Sequence, residues 1–114
     1  MESMEITLWD YLMNTDLTGG EVQAALSAAC ETLIRLHMMG CAHNDPHPGN
    51  FMRRASDGAW LLIDFGQAGP VSKKAMIADV QKLFRTYRKL VMKVPTLPEL
   101  QEMEEELLDV VRDS

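Results

Sequence analysis

His43-Asn-Asp45-Pro-His47-Pro-Gly-Asn50 is followed, fourteen residues after its asparagine, by Asp64-Phe65-Gly66. Two carboxylates and one amide thus sit on two neighbouring turns, joined by a short hairpin-like segment from Phe51 to Ile63. Mg²⁺ takes hard oxygen ligands of this kind while keeping several waters. Asn50 and Asp64 suit a metal held against a nucleoside triphosphate, and Asp45 suits a carboxylate that receives the proton of an attacking hydroxyl. Each motif alone is short enough to arise by chance. The pair, in this order and at this spacing, is specific.

The elements around the pair must hold it still. Thr7 can cap a short helix through Met13, with Leu8, Trp9 and Leu12 apolar. Thr18-Gly-Gly-Glu21 has the spacing of a capping box. The helix it opens places Val22, Leu26, Ala29, Cys30, Leu33 and Leu36 or His37 on one stripe, and Gly40 supplies its left-handed stop. A loop rich in Pro and Gly follows, where a regular element is improbable. Phe51-Met52-Arg53 and Trp60-Leu-Leu-Ile63 read as strands around the turn Ser56-Asp57-Gly58. Ser72 can cap a third helix carrying Met76, Ile77, Val80, Leu83, Phe84, Tyr87 and Val91 inward, with Pro95 ending it. Thr96-Leu-Pro98-Glu99 starts a last helix with Leu100, Met103, Leu107 and Val110 or Val111 inward. The expected architecture is α+β and mainly helical: four helices and a short β-hairpin, with no linker or internal repeat.

"LHMMG", "HNDPHPGN", two short strands and "LIDFG" resemble the C-terminal lobe of the protein-kinase-like fold. The resemblance is strongest over residues 4–90, Met4 standing where the hinge between lobes lies, and residues 1–114 read as one partial domain. "DPHPGN" is similar to the UbiB-type atypical kinases, and more loosely to the aminoglycoside and choline phosphotransferases. His47 stands where conventional protein kinases carry a lysine. The resemblance implies Asp45 as catalytic base, His43 as the histidine propping the loop, and Asn50 as a Mg²⁺ ligand. It implies Asp64 bridging Mg²⁺ to the β- and γ-phosphates of ATP, with Phe65, Gly66 and His47 on the cofactor side. For His47, a loop-stabilising hydrogen bond competes with a phosphate or substrate contact. Asp79 would anchor the loop backbone from the third helix. Gly66 and Gly49 would serve a sharp turn and a close backbone approach to the metal.

Other parts of that family's pattern are missing. No G-x-G-x-x-G occurs, no lysine precedes Lys73, and no A-P-E follows Asp64-Phe65-Gly66. A small lobe, or a partner chain in its place, is therefore expected from outside these residues.

Composition agrees with a modest core: 114 residues, 46% apolar and 25% charged. No stretch reads as a signal peptide or a membrane span, so the expectation is a soluble, intracellular and cytoplasmic protein without nucleic-acid binding. Cys30 and Cys41, if near one helix, lie roughly 16 Å apart, too far for a disulfide. They, with His37, Trp9, Trp60 and the methionines, read as core filling. Net charge is −6, from acidic flanks around a basic stretch over 51–93. Lys73, Lys74, Lys82, Arg85, Arg88 and Lys89 read as the solvated face of one helix, loosely paired with the acidic tail.

Three functions fit: ATP- and Mg²⁺-dependent phosphotransfer as part of an atypical kinase, a catalytically inactive kinase-like binding module, or a metal-dependent hydrolase using His43, Asp45 and His47. Residues two apart in an extended loop converge, so the last is geometrically allowed. The phosphate acceptor is not specified by these residues.

Overall fold

Thr18 opens the longest element. Its hydroxyl accepts the Glu21 backbone N–H at 3.1 Å, while the Glu21 carboxylate accepts the Thr18 backbone N–H at 3.3 Å, as the Thr-Gly-Gly-Glu spacing predicts. The computed structural model describes residues 4–13, 18–90 and 97–113. In chain order they form β1 (Met4–Thr7), α1 (Leu8–Leu12), α2 (Gly19–Met38), β2 (Cys41–Ala42), a 3₁₀ turn (Pro48–Asn50), β3 (Phe51–Arg54), β4 (Trp60–Leu62), β5 (Gly69–Pro70), α3 (Lys73–Leu90) and α4 (Leu97–Arg112). The expected α+β, mainly helical class is what is found. No helix among the described residues is long and apolar enough to cross a membrane.

The expected caps hold. Thr7 Oγ1 accepts from Asp10 N at 3.1 Å and Ser72 Oγ from Ala75 N at 3.0 Å, satisfying first-turn donors. Gly40 ends α2 with φ of 88° and Gly58 turns the hairpin with φ of 73°, conformations that a Cβ disfavours. Val91, Pro95 and Thr96 lie outside the described residues.

The sheets are richer than a hairpin. β3 and β4 pair antiparallel from Phe51↔Leu62 to Arg53↔Trp60, and β1 adds to the other edge of β3. Met4, expected at a hinge, thus begins a strand. A second sheet pairs Cys41↔Pro70 and Ala42↔Gly69. β2 lies in the loop where no regular element was expected, as does the 3₁₀ turn. Two-residue strands carry no periodic signal, so only their partners reveal them.

The core gathers Leu8 and Leu12 of α1, Val22, Leu26, Ala29 and Leu33 of α2, and Phe51 and Trp60 of the sheet, with Val80, Leu83, Phe84 and Tyr87 of α3. Each large buried side chain contributes roughly 1.5–3 kcal/mol by leaving water. α4 closes this core with Leu108 and Val111; Val110 faces out, and Leu107 is half-buried. The Tyr87 hydroxyl donates to the Val22 carbonyl, tying α3 to the start of α2.

Several apolar residues do not fill the core. Trp9 is 45% exposed and Phe65 49%, and Met13, Met38 and Met39 are also exposed. Trp9 and Met13 fall on the outer side of a one-turn helix, and Met38 and Met39 at the C-terminal end of α2. Cys30 and Cys41 are free and half-buried. Burial pushes the Cys30 thiol up to about 12. In a Cys41→Ser chain, a thiol reagent at pH 8 should therefore label Cys30 slowly, with a rise of at least about 10²-fold in denaturant. Rapid labelling of the folded chain would contradict this burial.

Candidate functional site

Asp79 sits on the buried stripe of α3, three residues after Met76 and four before Leu83, with 1% exposure. An ionised carboxylate there must be supplied with donors. Its Oδ2 accepts from His43 N at 2.9 Å and its Oδ1 from Asn44 N at 2.9 Å. His37, buried on α2, places Nε2 at 2.9 Å from Oδ2. The backbone entering the loop over residues 43–50 is thereby held by α3. The His37 ring is core-packed as expected, with Asp79 as its partner and Nδ1 unpaired among the described residues.

His43 is fully buried and couples the two turns. Its Nε2–H donates to the Ile63 carbonyl at 2.8 Å, one residue before Asp64, and its Nδ1 accepts from Asp45 N at 3.2 Å. Its ring lies 5.2 Å from that of Phe65. Both nitrogens are committed, so His43 cannot ligate a metal, and the His43, Asp45, His47 hydrolase loses a ligand. Among the described residues, no group of three His, Cys, Asp or Glu converges as a metal site.

Further links lock the turns together. Ile63 N donates to the Asn50 carbonyl at 2.7 Å, and Asn44 Nδ2 to the Gln67 carbonyl at 2.8 Å. β2 and β5 extend the same junction. Asn44 (φ 68°) and Asp64 (φ 57°) are the non-glycine residues with left-handed backbone among those described, and both lie at this junction. Such conformations persist where the surroundings over-determine them. The sharp turn thus falls on Asp64 itself rather than on Gly66, whose N–H lies 3.4 Å from Asp64 Oδ1. Gly49 is needed for a different neighbour than the one expected: a Cβ there would meet His47 Cε1 at 2.8 Å.

Asn50 is 6% exposed, and its Nδ2 donates to the Asp45 carbonyl at 2.8 Å, which fixes the amide. Nδ2 also lies 3.4 Å from Asp45 Oδ2. His47 caps the 3₁₀ turn, Nδ1 accepting from Gly49 N at 3.0 Å, with Nε2 3.6 Å from Asp45 Oδ2. The loop-stabilising bond expected of His47 is present.

One residue escaped the sequence reading. Lys82, placed with the solvated face of the third helix, brings Nζ to 2.7 Å from Asp45 Oδ1. The Lys82 ammonium hydrogen-bonded to Asp45 holds that carboxyl below the usual carboxylate range. Its neighbours divide differently: Lys73 donates to the Arg112 carbonyl and Arg88 pairs with Glu104, so only part of the basic set meets the acidic tail. Lys82 lies 37 positions beyond Asp45, and no local pattern marks such a contact.

A family model described as the ABC1 atypical kinase-like domain matches residues 1–95. The chain belongs to this family. The match takes in everything from β1 through α3, including both turns and the Asp79 anchor. A kinase-like domain is thereby established. No curated protein sequence matches the chain.

Proposed function

We propose that this kinase-like chain carries the catalytic and metal-binding loops of an ATP- and Mg²⁺-dependent phosphotransferase, as the C-terminal lobe of a two-lobed fold. The observation that supports it is the cross-linking of the two turns through His43, Asn44 and Ile63, which keeps Asp45 and Asn50 on a fixed base beside Asp64. The donor set is hard oxygen, the Asn50 amide is fixed by its own hydrogen bond, and Asp64 is exposed. These residues fit Mg²⁺. Bound there, the metal would neutralise phosphate charge.

Asp45 orients the acceptor hydroxyl and takes its proton. Oδ1 is committed to Lys82, while Oδ2 has only contacts of 3.4 and 3.6 Å, which leaves Oδ2 for the proton. A carboxyl held below its ordinary range is a weak base, so orientation is its larger contribution. His47 and Phe65 border the phosphate side, and Gly66 follows Asp64 without a side chain. A glycine-rich loop and strand lysine supplied from outside these residues would enclose the nucleotide.

With one wall of the cleft, the 114-residue chain should bind Mg²⁺-ATP with millimolar-range affinity and negligible turnover, since the triphosphate is not enclosed and its charge is met from one side only. Isothermal titration with and without Mg²⁺ measures it. Binding that ignores Mg²⁺ and survives Asp64→Asn would refute the metal assignment. Micromolar affinity or clear ATPase activity would refute the need for a second lobe.

A further inference from the structure

We propose that Lys82 is a phosphate contact of this site, reaching the transferring phosphoryl group from α3 while keeping one hydrogen bond to Asp45. The inference rests on the phosphotransfer reading and adds a residue to it. Lys82 Nζ carries three N–H donors, and Asp45 Oδ1, at 2.7 Å, is its partner among the described residues. Two donors therefore remain on an ammonium that bridges to Oδ1 of the same carboxylate whose Oδ2 would hold the acceptor hydroxyl. The Lys82 and Asp45 side chains are 35% and 29% exposed, so a ligand can reach both.

A purely structural pair is a poor account of this contact. Half-exposed ion pairs add little stability. The Asp45 backbone is already fixed, its N–H by His43 Nδ1 and its carbonyl by Asn50 Nδ2. What Lys82 adds is positive charge where phosphoryl transfer gathers negative charge. In that step the bond between the terminal phosphorus and the bridging oxygen of the nucleoside triphosphate breaks. A bond from the acceptor oxygen to the same phosphorus forms, the hydroxyl proton passes to Asp45 Oδ2, and nucleoside diphosphate leaves. Lys82 makes no covalent bond. It bears on the equatorial phosphate oxygens and holds the carboxylate beside them.

The test is the affinity of the 114-residue chain for Mg²⁺-ATP and Mg²⁺-ADP, measured side by side by nuclear magnetic resonance titration. Lys82→Ala should reduce the preference for the triphosphate by about fivefold and leave Mg²⁺-ADP affinity unchanged, and Lys82→Arg should retain most of the preference. The same loss should appear in an Asp45→Asn background, because the contact is to phosphate. Lys82→Gln replaces the alanine variant if that chain does not fold. An unchanged preference in a chain that binds both nucleotides overturns the assignment of Lys82 alone. An effect that vanishes with Asp45→Asn shows Lys82 acting only through Asp45 and also overturns it. A parent chain that binds neither nucleotide overturns the phosphotransfer reading together with this one.

Discussion

Asp45→Asn, in a chain complemented by a small lobe from a related protein, should lower turnover by about 10²–10⁴-fold while leaving nucleotide affinity nearly unchanged. Asp45 meets the acceptor hydroxyl in the proposed site, and its amide replacement can still pair with neighbours but cannot take the proton at Oδ2. Asp64→Asn should do the opposite and cripple Mg²⁺-dependent nucleotide binding, because a charged ligand is lost and phosphate charge goes uncompensated. His43→Ala should chiefly lower thermal stability, since its two ring nitrogens join the turns at 2.8 and 3.2 Å. Affinity and turnover for each variant decide the matter. If Asp45→Asn weakens nucleotide binding as much as Asp64→Asn does, the division of roles is wrong.

Asp79→Ala should be strongly destabilising, by about 3–5 kcal/mol. It strands two backbone N–H groups and the His37 ring in a buried site, where each unmet donor carries its desolvation cost. For a domain of this size about 1 kcal/mol shifts the melting temperature by roughly 4 °C, so the variant should melt well over 10 °C lower or fail to fold. Asp79→Asn should recover only part of this, because its amide turns a donor toward other donors. Thermal unfolding followed by circular dichroism measures both. A shift of only a degree or two for Asp79→Ala would mean the loop is held by other contacts.

The helices and their caps were legible in the sequence because each signal is local: Thr18 with Glu21, Ser72 before a 3.6-residue stripe, Gly40 after one. Asp79 was reached through the family resemblance and not from helix periodicity. The short strands β1, β2 and β5 were not, since a strand of two to four residues is defined by its partner. Lys82 was placed on the solvated face of α3, whereas that face meets the loop at this point. Periodicity says which way a side chain faces its own helix axis, not what another segment has laid against it. The exposure of Met38 and Met39 was missed for a related reason: apolar type was taken for burial at an element end where the stripe breaks down.

The three contacts that fix the loop entrance join residues 35, 36 and 42 positions apart. Closing such spans costs chain entropy before the contacts return anything, so geometry of this kind forms late in folding. During synthesis His43, Asp45, Asn50 and Asp64 all leave the ribosome before Asp79 does. A nascent chain halted ahead of that residue carries every proposed ligand and base, and can join the two turns to each other, but lacks the carboxylate that holds the loop entrance. The loop entrance is therefore completed only when α3 docks.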